Sequence, residues 1–274
     1  MIETWLIYLR DIKGYSDNTV KAYEKDVKTF VSFVKSEATG KRWSTITRDD
    51  IDKYIVWRKN SGCKPATTNR ELSSIASLYN FFIRQGWLNE NPCKYESRRK
   101  IVESIPNTIP VDDIRNAYNH AVGVTKLMIG LLATTGMRLQ EMLNLTWSDI
   151  NFVTNEIKIH GKGQKERLVY STTEVLAPLK NVTQYRNTQG YIFHIEQREA
   201  RFMIYEALKP WSTAPQLSPH AIRHTMATML ASQGANVTAL AKILGHKRID
   251  TTQKYIDMTQ QGIRQTMQQY NIFN

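Results

Sequence analysis

Apolar residues recur every three or four positions through nearly all of the first ninety-five residues, and this periodicity confines that part of the chain to packed helices. After Ser16 and Asp17, the residues Val20, Tyr23, Val27, Phe30 and Val34 form one apolar stripe. Thr47 followed by Asp50 has capping-box spacing for a helix carrying Ile51, Tyr54, Ile55 and Trp57, with Gly62 just past its end. A further helix starts after Pro65, carries Leu72, Ile75, Leu78, Tyr79 and Phe82, and stops at Gly86. About four helices account for this part.

The period changes later. Helical patterns near Val111–Ala121, Lys126–Thr135 and Leu139–Leu145 give way to strict alternation over Glu156–His160. Gly161-Lys162-Gly163 then turns the chain, and Arg167–Tyr170 resumes an extended pattern, which predicts a short hairpin. Helices return from about Glu199 to the end. The expected class is mainly α with a small β-sheet (α+β). Between the two parts, Arg98-Arg99-Lys100 through Pro106 and Pro110 lacks periodicity and reads as an extended connection. The expected boundaries are a domain over 1–97, a linker over 98–109 and a second domain with a tail helix over 110–274.

Charge narrows the partner. Lys and Arg number 37 against 25 Asp and Glu, a net charge of +12, divided as +7 up to residue 100 and +5 beyond it. A surplus shared by both parts favours a polyanion, with nucleic acid ahead of an anionic membrane surface. The longest apolar stretch, Leu127–Ala133, falls far short of the roughly 18 residues a membrane span needs. The N-terminus lacks a basic-then-apolar signal segment. Cys63 and Cys93 form no CxxC pair, so neither a disulfide framework nor a cysteine zinc site is expected, and a reducing, cytoplasmic compartment is the default.

Three constellations carry chemistry. In Thr135-Gly136-Met137-Arg138-Leu139-Gln140-Glu141 a glycine ends one helix and an arginine begins the next, a seat for phosphate, although Arg138 is equally able to pair with Glu141 one turn on. In Ser218-Pro219-His220-Ala221-Ile222-Arg223-His224 a helix start places His220 and Arg223 on one face. An imidazole beside a guanidinium suits a phosphate better than a metal. His220 and His224 have metal-ligand spacing, but neither the glutamate of HExxH nor a third ligand accompanies them. The third constellation is Leu244-Gly245-His246, followed nine residues later by Tyr255. Alone, Tyr255 would be an ordinary packing residue.

Together with the Gly161–Arg167 hairpin, these residues resemble the tyrosine recombinases, the phage-integrase and Xer-like DNA strand-transfer enzymes. The resemblance rests on Arg138 in a TGxR context, Lys162 in GKG, HxxR at His220 and Arg223, LGH at His246, and Tyr255, all in the family's order. It extends to the first part, where Thr68-Asn69-Arg70-Glu71-Leu72-Ser73 and Asn91-Pro92 resemble the family's core-binding domain. It implies a SAM-like four-helix domain followed by a recombinase catalytic domain.

The chemistry it implies matches the residue types. Displacement at a phosphodiester builds charge on nonbridging oxygens, and Arg138 and Arg223 supply planar cations that stay protonated. Tyr255 attacks phosphorus, giving a 3'-phosphotyrosyl bond and a free 5'-hydroxyl. His220 is base or proton-relay partner, Lys162 is general acid to the leaving oxygen, and His246 hydrogen-bonds a phosphate oxygen. Glu141 orients the site from behind. With neither GxxxxGK[ST] nor a carboxylate cluster, no nucleotide, metal or other cofactor is expected.

Binding to double-stranded DNA is assigned to Lys64, Thr67, Thr68, Asn69 and Arg70 at a helix start, and to Arg98, Arg99 and Lys100 as backbone contacts, the two basic halves closing as a clamp. The nineteen residues after Tyr255 repeat Ile263, Met267 and Tyr270 at helical spacing, and the family often docks this tail on a neighbour. The implied active form is a homotetramer on two sites, a dimer per site, with accessory proteins left open. The helical pattern starts almost at Met1, which leaves no room for an arm-site domain. Two alternatives are a type IB topoisomerase and a noncatalytic DNA-binding scaffold. Integration, excision, inversion and dimer resolution all use this architecture.

Overall fold

The structure is a computed structural model, and it describes residues 1–36, 41–94, 107–161, 166–185, 189–245 and 252. The chain divides into two compact units, Met1–Glu103 and Ser104–Asn274. Among the described residues no helix is long and apolar enough to cross a membrane.

Among the described residues, the first unit has four α-helices. The first, α1 (Ile2–Ile7), continues through a wider turn at Tyr8–Ile12, followed by α2 (Asp17–Ser36), α3 (Arg48–Asn60) and α4 (Pro65–Arg84). The capping box expected at Thr47 forms: the Thr47 N–H donates to Asp50 Oδ2 at 2.8 Å, and Lys41 closes on the same carboxylate at 2.7 Å. Gly62 follows α3 with φ +73°, a left-handed turn natural to glycine. The stripe read on α2 packs inward, with Val20, Val27 and Phe30 buried. Phe30 packs with Tyr54, Leu72, Ile75 and Tyr79, and Val20 and Val27 pack with Leu78, Phe81 and Phe82; among the aromatic contacts Phe30 meets Tyr54 and Tyr79 meets Phe82 edge-on.

The second unit surrounds α6. Its helices are α5 (Val111–His120), α6 (Gly123–Thr135), the short α7 (Leu139–Leu143), α8 (Thr173–Tyr185), α9 (Gln197–Leu208), α10 (Pro219–Ser232) and α11 (Val237–Leu244). A three-stranded antiparallel sheet of β1 (Ile150–Asn151), β2 (Glu156–His160) and β3 (Glu166–Tyr170) lies between α7 and α8 in the chain, in the order β1-β2-β3. The expected hairpin is β2–β3, paired from Glu156↔Tyr170 to His160↔Glu166, with Ile157, Ile159 and Val169 on the buried face. Ile109, the last residue of the expected linker, is already packed in this unit: its N–H donates to Thr225 Oγ1 at 2.8 Å.

Two elements lie beyond the sequence reading. Strand β1 is two residues long, too short to show a period. Helix α8 precedes Glu199, where helices were expected to resume, and it contains Pro178. An interior proline costs a helix about 3 kcal/mol. Here Val175, Leu176 and Leu179 bury their side chains in the core, and burying three such residues outweighs that cost. Gly130 on α6 permits the close approach, because a Cβ there would lie 2.9 Å from Val175 Cγ2.

Candidate active site

Helix α6 ends at Gly136, which adopts φ +59° as its left-handed cap. A side chain there would also collide with Met226, whose methyl is 2.3 Å from the position of a Cβ. The turn buries Met137 and delivers Arg138 to the first residue of the next turn, with its side chain about half exposed. Arg138 does pair with Glu141, by Nη1 to Oε1 at 2.8 Å, and its own N–H donates to Oε2 at 2.7 Å. That amide is therefore taken by Glu141, which leaves the half-exposed guanidinium as the part of Arg138 open to a ligand.

Ser218 caps α10, accepting the Ala221 N–H at 3.2 Å, and Pro219 occupies the first turn. The helical spacing then puts His220 and Arg223 on the lining of one cleft, about 650 Å³ in volume, together with Arg138 and with Gln197, Arg201 and Phe202 from α9. His220 is exposed at the mouth, whereas Arg223 is fully buried. The His220 and His224 rings meet edge-on at 4.2 Å.

What holds so many cations together is the end of α11. Three successive carbonyls each accept from a different arginine: Ile243 from Arg167 Nε at 2.8 Å, Leu244 from Arg223 Nη2 at 2.6 Å, and Gly245 from Arg138 Nη2 at 3.3 Å. Arg223 also donates through Nη1 to the carbonyl of Gly136, the end of α6. Carbonyls at a helix C-terminus lack intrahelical partners and carry the negative end of the helix dipole, so they attract guanidinium groups. Gly245, with φ +61°, makes the arrangement sterically accessible, since a Cβ there would sit 2.8 Å from Arg167 Nη1.

Glu141 is the carboxylate within this cluster. It takes Arg167 bidentately, at 3.0 Å and 2.7 Å, in addition to its bonds from Arg138. Burial pushes its carboxyl up, but the hydrogen bonds from Arg167 and from the Arg138 N–H outweigh burial and bring it down to about 2. Two arginines thus share one carboxylate while the third, Arg223, rests on carbonyls, which leaves a net positive cluster suited to an anion.

Arg167 was not among the residues singled out from sequence. Its signal lies in the strand period: opposite Ile159 and two residues from Val169, it falls on the inward face of β3, where a charge needs a partner. His160, the last residue of β2, stands between Asp149 at 2.8 Å and Glu166 at 3.1 Å. Lys162, His246 and Tyr255 lie outside the described residues, as do Arg98, Arg99 and Lys100. The nearest described residues along the chain are Gly161 and Glu166 for Lys162, Gly245 for His246, and Thr252, which is buried, for Tyr255.

The residues proposed for DNA contact in the first unit share the start of α4. Lys64 and Arg70 are exposed, Thr67 and Asn69 half-buried, and Thr68 fully buried. Thr68 therefore serves the packing of α4, and the outward set is Lys64, Thr67, Asn69 and Arg70. Arg70 is anchored on the buried carboxylate of Asp26, which also accepts from Ser74 Oγ at 2.7 Å.

Comparison with known proteins identifies the family. The profile of the phage integrase family matches residues 108–261, and that of the phage integrase N-terminal SAM-like domain matches residues 2–86. Similar curated proteins include a tyrosine recombinase of Thermosipho africanus, 29% identical over 95% of this chain and 96% of its own. The tyrosine recombinase XerD of Listeria innocua is 28% identical over 99% of this chain and 98% of its own. Among solved structures, XerH site-specific recombinase bound to a palindromic difH substrate has a TM-score of 0.76 at 15% identity, covering 99% of this chain and 84% of its own. The Tn1549 transposon integrase in complex with transposon right-end DNA has a TM-score of 0.75 at 18% identity, covering 98% of each chain. With the family profile spanning more than half of its length, the chain belongs to the phage integrase family and is a tyrosine recombinase, an enzyme that breaks and rejoins DNA in site-specific recombination.

Proposed function

We propose that the cluster at the end of α11 is the phosphate seat of a strand-transfer site in which Tyr255 is the nucleophile. The observation that supports this reading is the gathering of Arg138, Arg167 and Arg223 on three consecutive carbonyls beside the cleft that His220 lines. Arg138 and Arg223 hold the nonbridging oxygens of the scissile phosphate and neutralise the charge that grows on them in the pentacovalent transition state. The Tyr255 oxygen attacks phosphorus, its phenolic proton passing to His220. The bond from phosphorus to the 5'-oxygen breaks, and Lys162 delivers a proton to that oxygen. The product is a 3'-phosphotyrosyl enzyme and a free 5'-hydroxyl. His246 donates to a phosphate oxygen, and Glu141 fixes Arg138 from behind. Because the phosphotyrosyl ester keeps the energy of the broken bond, a 5'-hydroxyl from a second duplex reverses each step and reseals the strand.

Duplex DNA is held through Lys64, Thr67, Asn69 and Arg70 at the start of α4 and through Arg98, Arg99 and Lys100 in the connection. The domain limits proposed are 1–97, 98–109 and 110–274. The acting form is a homotetramer on two sites, a dimer on each, in a cytoplasmic, nucleoid-associated setting. Tyr255→Phe tests the nucleophile, using a nicked duplex built on the sequence that the protein itself selects from a random duplex pool. The wild-type chain forms a covalent adduct that peptide mapping places at Tyr255, and the phenylalanine variant binds the duplex without one. An adduct retained by Tyr255→Phe, or mapped to another residue, overturns the assignment.

A further inference from the structure

We propose that Arg167 is a positioning residue for phosphate cleavage, acting through Glu141 to aim the guanidinium of Arg138. The proposal rests on the reading of Arg138 as a phosphate clamp. Its basis is a chain of short bonds among three elements that are distant in sequence. Arg167 from β3 grips both oxygens of Glu141 on α7, at 3.0 Å and 2.7 Å. Glu141 in turn holds Arg138 at Nη1, 2.8 Å away, and at its N–H, 2.7 Å away. The third donor of Arg167, Nε, is fixed on the Ile243 carbonyl of α11 at 2.8 Å.

Burial separates the roles. The Arg167 side chain is 13% exposed and that of Glu141 9%, whereas Arg138 is 46% exposed and lines the cleft. Arg167 is not among the residues lining that cleft, and its bonds run to Glu141 and to the Ile243 carbonyl. The rigid fork suits the task, because one guanidinium serves a carboxylate and a carbonyl at once. With Arg167 in place Glu141 stays ionised, its carboxyl held at about 2, and an ionised Glu141 keeps a fixed pull on Arg138. An ammonium at this position retains the charge but offers neither the bidentate grip nor the simultaneous bond to Ile243. Gly245 fits the same interpretation: its missing side chain is the space Arg167 Nη1 occupies.

The test uses single-turnover cleavage of the nicked duplex with either the natural scissile phosphate or a methylphosphonate in its place. The neutral methylphosphonate lowers the charge the clamp must neutralise, so a defect in aiming Arg138 matters less on it. Arg167→Ala and Arg167→Lys each slow cleavage of the natural phosphate by about 10- to 100-fold, with duplex affinity unchanged. On the methylphosphonate most of that deficit disappears, as it does for Arg138→Ala. The lysine variant preserves a counter-charge for Glu141 and is expected to melt as the wild-type chain does, so the result does not depend on the alanine variant folding. In a Glu141→Gln background Arg167→Lys adds little further loss. A deficit that is equally large on both substrates, while that of Arg138→Ala shrinks, overturns the positioning role. Full additivity with Glu141→Gln overturns the route through Glu141. No relief for Arg138→Ala itself overturns the clamp reading, and the proposal with it.

Discussion

Both units bury arginine–carboxylate pairs, and they do so to opposite ends. In the first, Glu71 is satisfied on every side, by Arg58 Nη2 at 2.7 Å, Arg58 Nε at 2.8 Å and the Tyr54 hydroxyl at 2.9 Å. Asp26 likewise has its own arginine, Arg70. Acid and base cancel one for one, and the pairs lock α2, α3 and α4 together. In the second unit Arg138 and Arg167 share Glu141, Arg223 is held on carbonyls, and the carbonyls at the ends of α6 and α11 supply the balance of the attraction. A carbonyl dipole holds a cation in place without neutralising it. The same residue types thus form a closed strut in one region and an open anion seat in the other.

The largest effects come from removing one arginine in each region. Arg223→Ala is expected to slow strand cleavage on the order of 10²- to 10³-fold, because a fixed donor to the transition state is lost. Arg58→Ala is expected to destabilise the first unit by about 3 to 5 kcal/mol, since Glu71 is left buried without its cation, while molecules that remain folded cleave normally. Denaturant melts and cleavage rates on both variants separate the two regions. Comparable losses of cleavage in both variants break the distinction.

Acid sharpens the contrast, because the two buried carboxylates shift in opposite directions. The Glu141 carboxyl is held at about 2 against an ordinary 4.5, so its stabilisation is complete above the ordinary value and is lost as pH falls from there toward 2. At most about 3 kcal/mol is at stake. Burial raises the Asp26 carboxyl despite its bonds from Ser74 and Arg70, so protonation as pH falls through its folded value relieves the first unit. Stability measured from neutral pH down to pH 2 should flatten in Glu141→Gln, whereas in Asp26→Asn the acid loss should steepen. The same profile in both variants removes the contrast.

The smallest effects concern two left-handed glycines. Gly62→Ala and Gly245→Ala each place an alanine at positive φ, at φ +73° and +61°, costing about 1 kcal/mol or more in a melt. Around Gly62 the space is open, and cleavage should be unaffected. At Gly245 the added methyl displaces Arg167, and cleavage should fall as well. Equal cleavage by the two variants argues against the role given to the end of α11.

Much of the scaffold was legible because it is written in near neighbours. The Thr47–Asp50 box, the Ser218–Pro219 helix start and the stripe on α2 each depend on residues a few positions apart. Helix α8 was missed because Pro178 speaks against a helix locally, and only the core contacts of Val175, Leu176 and Leu179 outweigh it. Arg167 was passed over because its partners are 26 and 76 residues away. Thr68 was assigned to DNA contact with its neighbours at the helix start, but its position on α4 turns it into the packing.

By itself the sequence determined the helical class, the places where helices start and stop, and the order of Arg138, Lys162, His220, Arg223, His246 and Tyr255 along the chain. Only the tertiary structure decided that three guanidinium groups meet on the last carbonyls of α11, and that Arg167 stands behind Glu141. The reason is physical. Caps and stripes arise from contacts within one helical turn, which spacing encodes, whereas a buried cation takes whichever carbonyl or carboxylate the packing of distant elements brings within reach.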